Sequence, residues 1–327
     1  MNEPETLDLI VVSYNTRELL RQCLDSVGRH APEARAIVVD NASRDGSPEM
    51  VRDEFPAVEL VSTGWNAGFA AANNAGLERS RAEFVVLLNS DTVLSDDSLQ
   101  RCARWMRARP EVGASSPRLI GADDRPQQCL YPLPRFSAIV REALRLPASP
   151  PRPNDEGWLA GTALVLRRAA LESIGGRLDA AYWMYWEDCD LSARLRAAGW
   201  RLEPFEGGSI RHYGGASGGG ADESRRADLH AWYVFGRHRW FAAHRPGAEA
   251  AGLWLLDMLD VARMGLRGAV HPNRRVAWAQ AGVTARVLWD RLFGRRPAYP
   301  GGPRPGEGAV LKTATSPPPA RRTSLRT

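Results

Sequence analysis

Residues 7–18 read LDLIVVSYNTRE. Leu9 to Val12 form an apolar run bounded by polar residues, the pattern of a strand buried on both faces. Leu19, Leu20, Cys23, Leu24 and Val27 then recur at helical spacing. Asn15 with Glu18 three residues on predicts the helix start. A dinucleotide-binding sheet needs G-x-G-x-x-G at this first turn, so that the backbone can approach a pyrophosphate. The chain has SYNTRE there, with no glycine. The stretch therefore keeps an α/β sheet and excludes that ligand class.

The same rhythm continues downstream. AIVVDNAS (36–43) predicts a second strand ending in Asp40, and Ser47 with Pro48 predicts a helix start. VELVS (58–62) reads as a strand, NAGFAAANNAGLERS (66–80) as a helix of small residues, and EFVVLLNSD (83–91) as a buried strand ending at Asp91. Ser95 is the expected cap of a helix running to about Arg109. Strands alternating with helices predict a mostly parallel sheet flanked by helices, whose ligands bind beyond the carboxyl ends of the strands. The polar ends Ser13-Tyr14-Asn15, Asp40-Asn41 and Asn89-Ser90-Asp91 should meet at one crevice.

After residue 118 the rhythm breaks. Residues 121–157 are proline-rich and read as a long, partly ordered excursion. WLAGTALVLRR (158–168) predicts one strand running into a short helix at 169–174. YWMYWEDCD (182–190) crowds aromatics against acids just before a helix that stops at Gly199. RLEPF and GSIRHY predict two short strands. Residues 225–293 read as helical, and the Pro/Gly/Ser/Arg-rich stretch from 294 as a tail without stable structure.

Of 327 residues, 44% are hydrophobic and 25% charged, as in ordinary folded proteins, and the formal net charge is +5. All but Lys312 of the 43 basic residues are arginine. They are dispersed and no nucleic-acid motif appears, so no nucleic-acid partner is expected. Cys23, Cys102, Cys129 and Cys189 form no C-x-x-C pair and read as reduced thiols. With no signal-peptide pattern at the start and no run near ~20 apolar residues, a cytoplasmic location is expected. In ADLHAWYVFGRHRWFAAHRPG aromatics and arginines interleave, and in WLLDMLDVARMGL apolar residues surround spaced charges. Both segments fit either helices packed on the body or helices lying on a membrane surface.

Each candidate chemical group has two readings. Asp40 is a ribose- or base-binding acid or a turn aspartate. Asp91 is a hard ligand for Mg²⁺ or Mn²⁺ or a turn aspartate. His212 is a metal ligand, a phosphate donor or a satisfied surface residue. Glu187 and Asp188 are a proton-accepting pair or helix-capping acids, although capping accounts poorly for Glu187, Asp188 and Asp190 together.

In order and spacing, VVSYN, VVDNASRDGS, NAGFAAANNAG, LLNSD, GTALVLRR and YWMYWEDCDLSARLRAAGW resemble the inverting glycosyltransferases of family 2, over residues 7–215. The nearest resemblance is to a rhamnosyltransferase-like branch. It implies a GT-A fold with a nucleotide-sugar half (1–118), an acceptor half with the catalytic base (119–222), a helical extension (223–293) and a tail (294–327). By that resemblance Ser13, Tyr14, Asn15, Asp40, Asn41, Asn66, Gly68, Asn73, Asn89, Ser90 and Asp91 bind the donor. Asp91 and His212 hold Mg²⁺ or Mn²⁺, and Asp188 beside Glu187 is the catalytic base; from their residue type alone, Trp183, Tyr185 and Trp186 either stack on the acceptor sugar's apolar face or are core. The family's D-x-D is here Asn89-Ser90-Asp91, lacking the first acid. The implied donor is a dTDP- or UDP-sugar, rhamnose first. The implied acceptor is a polyprenyl-linked or polysaccharide chain of the cell envelope, met at the inner face of the cytoplasmic membrane. Two rival readings are a nucleotidyltransferase and a catalytically inactive nucleotide-sugar-binding protein.

Overall fold

The computed structural model describes residues 7–147, 157–214, 223–268, 274–292, 294–295 and 314–315. β1 (Leu7–Ser13), α1 (Arg17–His30), β2 (Arg35–Asp40), α2 (Ser47–Glu54), β3 (Glu59–Ser62), α3 (Phe69–Leu77) and β4 (Phe84–Asn89) alternate as the sequence predicts. β5 (Thr92–Leu94), α4 (Ser98–Arg107), β6 (Val112–Gly121), β7 (Pro126–Gln127), β8 (Leu130–Pro132) and α5 (Phe136–Ala143) follow. Then come β9 (Gly157–Leu159), β10 (Ala163–Arg167), α6 (Arg168–Ser173), α7 (Glu187–Ala197) and β11 (Arg201–His212). α8 (Glu223–His244), α9 (Gly247–Gly268), α10 (Arg274–Leu292) and a two-residue β12 (Ala314–Thr315) complete the order.

The main sheet runs β12-β3-β2-β1-β4-β10-β6-β11-β5. Its first half, β3-β2-β1-β4, is parallel. β10 then enters antiparallel between β4 and β6, and β5 closes the edge antiparallel to β11. β6 runs across residue 118, so the residues on either side of it share one sheet. Two apolar layers sandwich the sheet. Leu9, Val11, Val38, Val86 and Leu88 pack under Leu20 and Cys23 of α1 and Leu99 and Cys102 of α4. Ile10, Ile37, Val85 and Leu87 face Ala70 and Ala72 of α3 and Leu191 and Leu195 of α7. Alternation along β1 and β4 feeds both layers, and each fully buried aliphatic side chain contributes about 1.5–3 kcal/mol.

Several expectations need correction. Asn15 does not cap α1. It sits at φ +54, donates its backbone N–H to Ser43 Oγ and accepts from the Arg44 N–H. The N–H of Arg17, first in α1, is satisfied by Asp45 instead. Asp45 also accepts from the Ser47 N–H and hydroxyl, and Asp96 rather than Ser95 receives the Ser98 N–H. WLAGTALVLRR is two strands. β9 pairs with β8 in a small separate sheet, β10 joins the main sheet, and Ala160–Thr162 breaks the run. RLEPF and GSIRHY are one strand, β11, with a register shift between Phe205 and Ser209. β6, with its buried Ser115 and Ser116, lacks a sequence signal.

The C-terminal helices pack on one another and on the body, α8 against α7 and α9 against α5. Trp232, Phe235, Trp240 and Phe241 of α8 are buried, while Tyr233 on the same helix is exposed. On α9, Asp257 turns inward to His238 and Arg237, while Asp260 pairs with Arg263 at the surface. Leu255, Leu259 and Leu266, spaced by four and seven, are exposed. Among the described residues no helix is long and apolar enough to cross a membrane. The four cysteines are free thiols, three of them buried. Nearly all of the predicted 294–327 tail lies outside the described residues.

Candidate active site

The parallel ladder sets Ser13 beside Asp40 and Val12 beside Asn89, so β1, β2 and β4 end at one edge of the sheet. Beyond that edge lies a cleft of about 320 Å³. Tyr14, Asn41, Asn66, Asn89, Ser90 and Asp91 line it from the parallel half. Trp183, Tyr185, Glu187, Asp188 and His212 line it from the later half. Asp91 and Asp188, 97 positions apart in sequence, thus share one cavity.

The other six candidate residues are not part of the cleft wall; they shape it. Ser13 is buried, its hydroxyl hydrogen-bonded to Thr16, whose own hydroxyl meets Ser90 Oγ. Asn15 spends both its polar contacts on the turn described above. Asp40 is buried and accepts the Ser43 N–H, and burial raises its carboxyl above the usual range. Asn73 faces into α3, its amide nitrogen donating to the Phe69 carbonyl. Trp186 packs between Tyr233 and Trp240 of α8. Gly68 has φ +84, and a Cβ there would lie 2.2 Å from the Trp183 carbonyl oxygen, which accepts the Phe69 N–H at 2.7 Å. That contact ties the 66–69 loop to the aromatic segment across the cleft. Asn41 holds the same loop: its amide nitrogen donates to Asn66 and the Gly68 carbonyl, and its oxygen accepts from Thr63 and the Ala67 N–H.

The acids sit at the start of α7, where the helix N-terminus favours negative charge. Asp188 accepts the Gly161 N–H at 3.0 Å and the Cys189 N–H at 2.8 Å. Burial outweighs these donors and raises its carboxyl to about 6. Glu187 is 6% exposed with Oε2 unpartnered, and burial, then the Asp188 charge, raises it well above the usual range. Tyr185 and Trp186, just before the helix, hold left-handed φ of +69 and +74, a strain of order 1–3 kcal/mol each. Behind them Asp190 accepts from His244 and Arg194. Burial alone would raise Asp190, but these two partners win and hold it below the usual range.

Asp91 is 6% exposed, and His212 Nε2 lies 3.4 Å from its Oδ1. Among the described residues no third His, Cys, Asp or Glu joins them. A carboxylate and an imidazole suit Mg²⁺ or Mn²⁺ that keeps its other positions for water or substrate oxygens, since such ions rarely take all-protein cages. Sequence reasoning missed Phe69, Gly161, Thr162 and Leu229, which also line the cleft. Gly161 and Thr162 stand in GTALVLRR, whose strand pattern and family resemblance give these two positions no site role of their own. Leu229 comes from α8 and left no local signal.

The fold is that of solved glycosyltransferases. A mannosyltransferase from Pyrobaculum calidifontis, in complex with GDP-Man and Mn²⁺, superposes with a TM-score of 0.54 at 17% identity, covering 90% of this chain and 89% of that one. Residues 1–349 of S. aureus TarS, in complex with UDP-GlcNAc, give 0.51 at 14% identity, covering 89% and 92%. Among curated proteins, the N-acetylglucosaminyl-diphospho-decaprenol L-rhamnosyltransferase of Mycobacterium tuberculosis is 27% identical over 266 residues, 71% of this chain and 84% of that one. The O-antigen biosynthesis protein RfbC of Myxococcus xanthus is 28% identical over 252 residues, 72% of this chain but 19% of that one. The model described as glycosyl transferase family 2 matches residues 8–150, and that of glycosyl transferase family group 2 matches residues 84–258. The chain belongs to the family 2 glycosyltransferases, and within them it is rhamnosyltransferase-like.

Proposed function

We propose that this glycosyltransferase moves a sugar, rhamnose first, from a dTDP- or UDP-linked donor to a hydroxyl of a polyprenyl-linked or polysaccharide acceptor in cell-envelope synthesis, with inversion. The observation that carries the proposal is the single cleft lined by both Asp91 and Asp188. The names of the relatives supply the substrate classes.

The donor lies at the ends of β1, β2 and β4, with its nucleoside towards Tyr14 and Asn41 and its diphosphate towards Asp91. Asp91 and His212 would hold a divalent cation, which would neutralise charge on the leaving diphosphate. Asp188 accepts the proton of the acceptor hydroxyl as that oxygen attacks the anomeric carbon from the face opposite the diphosphate. A carboxyl raised to about 6 is still ionised near neutral pH and is a stronger base than an ordinary aspartate. Its two backbone donors fix its direction, and α7 stabilises its charge. Trp183 and Tyr185 border the acceptor path.

The exposed Leu255, Leu259 and Leu266 stripe of α9 supports peripheral docking on an anionic lipid surface at the inner face of the membrane, beside a polyprenyl-linked acceptor. The decisive experiment is a thermal-shift panel of UDP-, dTDP- and GDP-sugars with and without Mn²⁺, followed by NMR assignment of the product's anomeric configuration. Stabilisation by a dTDP- or UDP-sugar that grows with Mn²⁺, and an inverted product, are expected. Stabilisation by NAD, or by none of these ligands, overturns the reading.

A further inference from the structure

Gln127, on β7, makes two contacts with one residue. Its Nε2 donates to the His212 backbone carbonyl at 3.3 Å, and its Oε1 lies 2.8 Å from His212 Nδ1. A backbone carbonyl can only accept, so the first contact decides which end of the amide faces the ring. The end at the ring is an oxygen, and therefore Nδ1 carries the imidazole proton. In the neutral ring Nε2 is then left with its lone pair, and Nε2 is the atom 3.4 Å from Asp91 Oδ1. Two acceptors then face each other with side chains only 16% and 8% exposed. Such a pair repels unless a cation, a metal ion or a proton on Nε2, lies between them. The separation is close to the ~3 Å between neighbouring oxygens of an octahedral shell with ~2.1 Å bonds.

The hairpin that carries Gln127 is built around this contact. β7 pairs with β6 at Leu119–Gln127 and Ile120–Pro126. The Gly121 N–H closes the turn onto the Arg125 carbonyl, and Asp124 takes a left-handed φ of +62. Arg211, the neighbour of His212, clamps the turn through the Gly121 carbonyl and Asp124. A Cβ on Gly121 would stand 2.8 Å from Asp123 Oδ1 and 3.0 Å from Gln127 Nε2, so glycine leaves both side chains their place.

We propose that Gln127 is a positioning residue that locks His212 in the Nδ1–H tautomer and so presents Nε2, with Asp91, to a divalent cation. This rests on the metal-dependent reading above. Outer partners of this kind typically govern metal affinity by about 10–100-fold.

The test uses the full chain with Mn²⁺, in the presence of whichever of UDP, dTDP or GDP stabilises it most, and reads free Mn²⁺ by electron paramagnetic resonance. Gln127→Leu, which loses the acceptor, should weaken Mn²⁺ binding about 10–100-fold, with nucleotide affinity in the absence of metal unchanged. Gln127→Glu, whose carboxylate still accepts from Nδ1–H although it loses the donor to the His212 carbonyl, should bind Mn²⁺ clearly more tightly than Gln127→Leu. Long-range ¹H–¹⁵N spectra of the metal-free wild type near pH 8 should show a protonated Nδ1 and a bare Nε2 for His212. Equal Mn²⁺ affinity in the wild type and Gln127→Leu, Glu as weak as Leu, or a proton on Nε2 each overturns the assignment. A wild type that binds no Mn²⁺ with any of the three nucleotides overturns the metal reading itself and the assignment with it. If Gln127→Leu does not fold, the Glu variant and the tautomer spectrum still decide.

Discussion

Replacing Asp188 by Asn should slow turnover and stabilise the fold, and the stabilisation should depend on pH. Burial raises the native carboxyl from 3.8 to about 6. At ~1.4 kcal/mol per tenfold change in proton affinity, keeping it ionised costs the native state about 3 kcal/mol. The native carboxyl holds its proton more tightly than the unfolded one, so the wild type loses stability as pH rises from about 4 to about 6 and stays level above that. Asn does not titrate. Its oxygen can accept from one of the Gly161 and Cys189 N–H groups, but its amide nitrogen confronts the other, which costs about 1 kcal/mol. The net expectation is a gain of about 1–2 kcal/mol above pH 6 that shrinks as pH falls and becomes a loss of about 1 kcal/mol near pH 4. Glu187, raised second by the Asp188 charge, relaxes in the same direction. Urea unfolding followed by circular dichroism across that range measures the gain. Steady-state assays should show turnover lower by about 10²–10⁴-fold, the usual cost of a lost general base. A variant that is destabilised equally at all pH values refutes the burial reasoning. Unchanged turnover with donor binding intact refutes the base assignment.

Asp190→Asn should act with the opposite sign. Its carboxyl is held below the usual range by His244 and Arg194, so its stabilisation is complete above about pH 4 and fades as pH falls further. The variant should lose about 1.5–3 kcal/mol at neutral pH and less in acid, again by urea unfolding. Gly68→Ala should lower the melting temperature and the affinity for nucleotide-sugar together, because the added methyl meets the Trp183 carbonyl; retention of both would mean that the loop can shift away. Asp91→Asn should abolish the extra thermal stabilisation that Mn²⁺ adds to a bound nucleotide while leaving the metal-free shift within about 1 °C, since one carboxylate ligand is lost and the nucleoside wall is intact. Leu255→Ser/Leu259→Ser/Leu266→Ser should release the protein from anionic vesicles in sedimentation, with activity on a soluble acceptor unchanged; equal sedimentation would remove α9 as the docking face.

The local pattern determined a good deal about this protein. Apolar runs at Leu9–Val12, Ile37–Val39 and Phe84–Leu88 are strands because they are short, β-branched or aromatic, and bounded by polar turns, and they alternate with helical spacing as a parallel sheet requires. The same strand ends presented Asp91 and Asn41, and the aromatic-acid run presented Glu187 and Asp188. The tertiary structure decided the rest through contacts that no window along the chain contains. Asp45 satisfies the start of α1 from 28 residues away, where Asn15 had looked like the cap. Ala160–Thr162 breaks an apolar run that reads as one strand, because the Gly161 N–H serves Asp188 27 residues on. Gln127 reaches His212 across 85 residues. Residue type and spacing set which backbone conformation is cheapest, and that is a local matter. Whether a carboxylate is ionised, which nitrogen of a ring bears its proton, and which side chains face the cleft depend on burial and on partners brought together only when the sheet closes.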